Sequence, residues 1–273
     1  MKTMTFEETK QVELEILTNV AQFCEKHNLR YFLAYGTLIG AIRHKGFIPW
    51  DDDIDIHMPR EDYNRFCELY NKDAATEHFR AVLPNEKISR HPFVKVIDTR
   101  TVKTENNIDY SNGYLGVDVD IFPLDGQPDD DQAFAKWHKK LKKQYYYFPF
   151  FTVKKDTGLK WRLAVPIMKL LSGGKRKVLK TTARLHKLYP FKTSKFVGAI
   201  ESLDNSSKNR YRKGCFDGFV MVEFEGRLFR APVGYDEVLT RVYGDYMKLP
   251  PIEQQQTHHG NNTYWLEEDN EKI

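Results

Sequence analysis

YGTLIGAIRHKGFIPWDDDIDI (residues 35–56) places four carboxylates within five residues, Asp51, Asp52, Asp53 and Asp55, downstream of a small-residue turn at Gly36-Thr37. Asp53 and Asp55 alternate with Ile54 and Ile56. In a strand, side chains two apart share a face, so the two aspartates project together while the isoleucines pack behind them. Carboxylates held that close repel and raise one another's pKa. A hard divalent cation relieves the repulsion, and Mg²⁺ typically takes one or two carboxylates plus substrate phosphates. The glycine allows close backbone approach to a phosphate. Three other readings compete. A solvated acidic loop has the same composition. An EF-hand loop is excluded, because its sixth and twelfth positions require Gly and Glu and here hold Ile56 and Asp62. A DxD motif of a nucleotide-sugar glycosyltransferase also sets carboxylates on a metal-bound diphosphate.

The Gly-Thr turn ahead of an Asp-x-Asp strand favours the nucleotidyltransferase pattern over the DxD one. The longer stretch YGTLIGAIRHKGFIPWDDDIDIHMPREDYNRF (35–66) closely resembles the LicD family of phosphotransferases, relatives of fukutin and fukutin-related protein. YLGVDVDIFPLDG (114–126) and RAPVGYDEVLTRVYGDYMKLPP (230–251) resemble the family's later blocks, and together the resemblance covers roughly residues 28–260. It implies a nucleotidyltransferase-like fold. It also implies transfer of a phospho-substituent, typically phosphocholine from CDP-choline, to a hydroxyl of a cell-surface glycan such as lipopolysaccharide or teichoic acid, or of its lipid-linked precursor, with release of CMP.

Bulk properties set the frame. The chain has 273 residues, 41% apolar and 14% aromatic, enough to bury a sizeable core and unlike a disordered chain. Its three cysteines, Cys24, Cys67 and Cys215, have no metal-ligand spacing and read as reduced thiols. The polar start MKTMTFEETK has no signal-peptide character, and no run approaches the ~18 apolar residues of a spanning helix. A cytoplasmic protein is expected.

Periodicity predicts an amphipathic helix over 6–27 with Val12, Ile16, Val20 and Phe23 inward, and strands at 29–34, 54–57, 93–97 and 117–122. A helix begins at Pro59, and Asp125, beyond Pro123, falls in a turn or helix cap. Two strands within 215–229 turn at Glu225-Gly226 and lead to a helix over 236–243.

Nucleotidyltransferases complete their metal site with an acid on a neighbouring strand. Asp120 is the expected residue and Asp118 the alternative, so Mg²⁺ (or Mn²⁺) on Asp53, Asp55 and Asp120 is implied. The same carboxylate could take a proton from the acceptor hydroxyl. Lys95 stands on the face opposite Val94 and Val96 and, with the family resemblance, is expected to contact phosphate, with Arg100 and Lys103 as weaker candidates. Arg43 would offset charge at the reacting phosphorus, and Gly36-Thr37 would support the donor's phosphates. A choline head group calls for an aromatic cage, for which Trp50 and Tyr243 are candidates. The family pattern has a histidine near the C-terminus, so His258 or His259 could donate to a phosphate; no third histidine or cysteine makes the pair a zinc site.

From 136 to 184 the chain carries fifteen Lys/Arg against one acid, Asp156. That net +14 within a total of +4 leaves −10 on the rest. Interleaved aromatics (Tyr145 to Phe151) and the segment LKWRLAVPIMKLL (159–171) suggest peripheral contact with an anionic membrane, at its inner face. An ordinary helical subdomain is the plain alternative, and no nucleic-acid motif accompanies the charge. The expected architecture is one α/β catalytic domain over 1–273 with a mixed sheet. Its nucleotidyltransferase-like core spans about 28–130 and 190–260, and a basic, aromatic helical insertion spans about 131–189. Nucleotidyl transfer from CTP or ATP to a small acceptor, and a non-enzymatic membrane- or nucleic-acid-binding role, are the competing functions.

Overall fold

Thr5 opens the first helix with a reciprocal cap: its hydroxyl accepts from Glu8 N–H at 3.1 Å, and the Glu8 carboxylate accepts from Thr5 N–H at 2.7 Å. The computed structural model describes residues 1–72, 78–104, 112–151, 159–199, 208–256 and 262–266. In it a short strand β1 (Lys2–Thr3) precedes this helix, α1 (Phe6–Lys26). Val12, Ile16, Val20 and Phe23 are buried, as the spacing predicts. There follow β2 (Phe32–Leu33), α2 (Tyr35–Ile39) with a wide helical turn over Gly40–His44, β3 (Ile54–Pro59) and α3 (Arg60–Leu69). Next come β4 (Phe79–Val82), β5 (Val94–Asp98), β6 (Thr101–Thr104) and β7 (Asp118–Gln127). Three helices, α4 (Asp131–Tyr145), α5 (Leu159–Ser172) and α6 (Lys175–Lys187), lead to β8 (Phe196–Gly198) and β9 (Tyr211–Arg212). The hairpin β10 (Phe219–Phe224) and β11 (Arg227–Pro232), helix α7 (Tyr235–Tyr243) and β12 (Asn262–Trp265) complete the order.

The main sheet runs β2-β3-β7-β5-β4, with β8 on the far part of β7 and β9 beside β8. β3 and β7 are parallel and the other pairs antiparallel, so the sheet is mixed and the fold α/β, as expected. Alternation sorts its two faces. Ile54, Ile56, Val94, Val96, Val119 and Ile121 enter one core cluster with the inward stripe of α1. Phe122 and Leu124 enter a second with Phe32, Tyr211 and Phe216. The carboxylates of Asp55, Asp118 and Asp120 therefore leave the sheet on the side away from α1.

β7 is longer than the periodicity predicts, because it runs through Pro123. Pro123 is tolerated since it sits between the residues that bond β5 (118–121) and those that bond β8 (125–127), where no N–H is required. Asp125 is corrected accordingly. It lies not in a turn or cap but inside β7, 2% exposed, with Arg60 donating to both its oxygens at 2.7 and 2.6 Å. His186 Nδ1 lies 2.9 Å from it, and the other imidazole nitrogen is 3.0 Å from the Tyr145 hydroxyl.

The hairpin turns where predicted, with Glu225 at φ 48° and Gly226 at φ 70°, positive values that match strand twist in a two-residue turn. A small sheet β1-β12-β6 ties the N-terminus to residues 262–265, a pairing no local pattern announces. Around α4 and α6, Trp137, Leu141, Tyr145, Phe148 and Val178 form an apolar cluster of their own. Much of the 145–151 aromatic run is thus core. Cys24, Cys67 and Cys215 are free thiols.

Candidate active site

β2 ends where β3 and β7 begin, and the short α2 starts there. Tyr35, its first residue, takes φ 44°, a left-handed conformation that is costly for a side chain bearing Cβ and that concentrates at functional sites. The Thr37 hydroxyl, two residues on, accepts from the Asp55 backbone N–H at 2.8 Å, locking the turn to the start of β3. Asp53 immediately precedes the strand, and Asp55 is its second residue.

In the parallel register Asp55 faces Asp120, and in the antiparallel register of β5 Asp120 faces Lys95. The Lys95 ammonium bridges Asp118 and Asp120, and Lys103 adds a second contact to Asp118 at 2.9 Å. Burial alone would raise Asp118, but Lys103 and Lys95 outweigh it and hold this carboxyl well below the usual carboxylate range. Asp120 goes the other way. Burial, with the Asp118 charge, pushes it up to about 7 against the pull of Lys95. Burial, then Asp53, Asp120 and Asp51, raises Asp55 well above its ordinary value. Asp51 is raised to about 7 by burial and by Asp53 and Asp52.

The predicted residues are therefore partly gathered. Thr37, Asp55, Asp120, Asp118 and Lys95 meet at one end of the sheet. Gly36 is there too, but the space beside it holds the Asp51 carboxylate: a Cβ at position 36 would fall inside the van der Waals surface of Asp51 Oδ2. Arg43 is engaged elsewhere, donating to the carbonyls of Tyr246 at 2.6 Å and Lys248 at 3.4 Å, so it clamps the YGDYM segment. Trp50 is half-buried against the main core, and Tyr243 is 45% exposed at the end of α7. Arg100 is paired with Asp98. His258 and His259 lie outside the described residues.

Two residues of the site were not read from sequence. From sequence Asp51 reads only as part of an acidic run, although it is the member that packs on Gly36. Glu13 of α1 is fully buried, with neither carboxyl oxygen hydrogen-bonded, in the field of Lys103, Asp53, Asp118 and Asp52. Burial raises it well above its ordinary value. The signal was there: Glu13 falls at helical spacing from Ile16, Leu17 and Val20, on the apolar stripe.

Among the described residues, no set of three or more His, Cys, Asp or Glu side chains is already arranged around a metal position. The chemistry of the donor set nevertheless fits a hard dication. Asp51, Asp55 and Asp120 are carboxylates raised by burial and by neighbouring acids, and only oxygen donors are offered. An ion that completes its shell with water and donor phosphates suits a site supplying one or two carboxylates.

Residues 28–155 match the family described as LicD/FKTN/FKRP, nucleotidyltransferase domain. The chain is 35% identical over 274 residues to the lipopolysaccharide cholinephosphotransferase LicD of Haemophilus influenzae, covering 97% of this chain and 100% of that protein. The chain belongs to the LicD family. It is a LicD-type phosphotransferase, a transferase of substituted phosphate groups. Shorter likenesses reach a Rickettsia typhi protein, 36% identical over 25% of this chain and 23% of that one, and a Rickettsia prowazekii protein, 42% identical over 18% of each. The carboxylates of this LicD chain at Asp51, Asp53, Asp55 and Asp120 all fall within the family match.

Proposed function

We propose that this chain transfers phosphocholine from CDP-choline to a hydroxyl of a lipopolysaccharide-type glycan or its lipid-linked precursor, releasing CMP. The observation that carries this reading is the end-to-end likeness to the Haemophilus influenzae enzyme, whose name states both the group moved and the acceptor. In balance, the acceptor oxygen forms a bond to the choline-bearing phosphorus, the bond from that phosphorus to the bridging oxygen breaks, and CMP takes the electron pair. The core is nucleotidyltransferase-like, and α4 to α6 are its helical insertion.

Asp53 and Asp55 would hold Mg²⁺ or Mn²⁺ on the donor diphosphate, with Asp120 completing the set. When bound, the ion offsets charge on the phosphates and draws electron density from the reacting phosphorus. The chain's own groups supply the rest. Thr37 fixes the Asp55 backbone, and the Gly36-Thr37 turn would support the donor's phosphates through its backbone, since the Asp51 carboxylate fills the space beside Gly36. Lys95, protonated between Asp118 and Asp120, presents positive charge to the departing CMP. If Asp120 stays off the ion, its carboxylate, raised to about 7 by burial and Asp118, would instead accept the acceptor hydroxyl's proton. Asp118 keeps Lys95 in place and charged. Trp50 and Tyr243 remain the candidates for the choline cage, and Arg43 is proposed to act through the YGDYM segment it clamps. The protein works against a membrane's inner face, where a lipid-linked acceptor is presented.

Incubation with CDP-choline or with CTP, each with lipopolysaccharide lacking phosphocholine and Mg²⁺, tests the reaction. CMP and phosphocholine-bearing acceptor are expected from CDP-choline alone. Pyrophosphate from CTP, with no product from CDP-choline, would instead establish nucleotidyl transfer.

A further inference from the structure

Most surface helices turn their apolar stripe inward, but α5 also carries one outward. Leu163, Ile167, Leu170 and Leu171 are 63, 55, 81 and 65% exposed, and Pro166 between them is exposed as well. Their spacing, i, i+3, i+4, i+7 and i+8, makes one continuous helical face. The opposite side is anchored: Val165 is 1% and Ser172 6% exposed. A row of large apolar side chains in water marks an interaction surface.

Charge identifies the occupant. Past Ser172, the Gly173-Gly174 turn joins α5 to Lys175-Arg176-Lys177, so the exposed cations Arg176 and Lys177 stand a few residues after the exposed Leu170-Leu171 pair. Arg176, Lys177 and Lys180 on α6 and Lys139, Lys140 and Lys143 on α4 are all exposed. With fifteen Lys/Arg against one acid over 136–184, a second copy meeting this face would bring like charge against like. An anionic bilayer offers the complement, with an apolar interior for the leucines and phosphates for the lysines. Among the described residues no helix is long and apolar enough to cross a membrane, so the helix would lie on the surface.

We infer that the outward face of α5, with the flanking cations of α4 and α6, docks this chain onto an anionic lipid surface. The docking element is tied to the catalytic sheet. Lys175, at the start of α6, donates to the carbonyls of Glu86 and Ser89 at 2.8 and 2.7 Å, in the loop that leads to β5 and Lys95. The inference rests on the proposed function only in expecting a lipid-borne acceptor.

The test is co-sedimentation of the full chain with phosphatidylcholine vesicles, with and without phosphatidylglycerol, at low and high salt. Two surface variants accompany it: Leu163→Ser/Ile167→Ser/Leu170→Ser/Leu171→Ser and Arg176→Glu/Lys177→Glu/Lys180→Glu. The parent is expected to partition onto the anionic vesicles, more weakly in high salt, and each variant to bind at least about tenfold less. CMP release with a water-soluble acceptor should be unchanged in both. Equal sedimentation of parent and variants, or no preference for anionic vesicles, would overturn the inference. So would a parent dimer that the serine variant converts to monomer. Vesicle binding is read without donor or acceptor, so its failure and failure of the proposed reaction are distinguishable.

Discussion

Asp55 and Asp120 are direct register partners on two parallel strands, so their carboxylates leave the sheet side by side on the same face. Neighbouring strands stand about 4.8 Å apart, and burial, then the charges of Asp53, Asp120 and Asp51, raise Asp55 well above its ordinary value. Substitution should therefore have opposite effects on activity and stability. Asp55→Asn is expected to lower turnover by at least about 10²-fold, while the metal-free protein melts at the same temperature or higher, because a repelled, buried charge is gone. Steady-state CMP release and thermal melting in chelator check both signs.

Thr37 acts through its hydroxyl. Thr37→Val leaves the Asp55 N–H without its acceptor and should cost about 1–3 kcal/mol, with a matching fall in activity. Thr37→Ser, which restores the oxygen, should recover most of both. Denaturant unfolding of the pair separates the missing hydrogen bond from altered packing.

Gly36 is constrained by Asp51 and not by backbone conformation. Gly36→Ala should displace the Asp51 carboxylate, at about 1–3 kcal/mol of strain. The apparent donor KM should rise in the same variant. Removing the obstacle as well, in Gly36→Ala/Asp51→Ala, should restore stability but not activity.

Asp125 makes a pH prediction. Burial opposes its ionisation, but Arg60 and then His186 hold its carboxyl below the ordinary range. With the folded pKa lower than the unfolded one, the unfolded state binds more protons on acidification. The stabilisation is then complete above about pH 4 and lost as pH falls further. Asp125→Asn should cost about 3–5 kcal/mol at neutral pH, since it strands the Arg60 guanidinium, and should flatten the acid limb of stability against pH. Urea unfolding from pH 7 downward measures both.

Much of this arrangement was legible in the chain because alternation and helical spacing are local. The α1 stripe, the alternating strands of Asp55, Lys95 and Asp120, and the Glu225-Gly226 turn follow from residues a few positions apart. What escaped depends on partners far along the chain. Asp125 looked like a turn residue because Pro123 precedes it; only the exchange of β5 for β8 along β7 shows why a proline can sit there. Lys95 reads from sequence as a phosphate contact, while its bridge between Asp118 and Asp120 depends on the register of β5 on β7. Gly36 suggested open space for a phosphate, but a carboxylate fifteen positions away lies against it. Arg43 reads from sequence as offsetting charge at the reacting phosphorus, whereas its guanidinium donates to His44 and to carbonyls about two hundred residues on.

Whether Asp53 and Asp55 hold a dication on the donor is read most directly from the thermal midpoint of the parent and of Asp53→Asn/Asp55→Asn with CDP-choline, with and without Mg²⁺, alongside CMP release in the same samples. A midpoint rise is expected in the parent only when donor and Mg²⁺ are both present, and neither rise nor CMP from the double variant. A double variant that responds to donor and Mg²⁺ as the parent does, and releases CMP at the parent's rate, would contradict it.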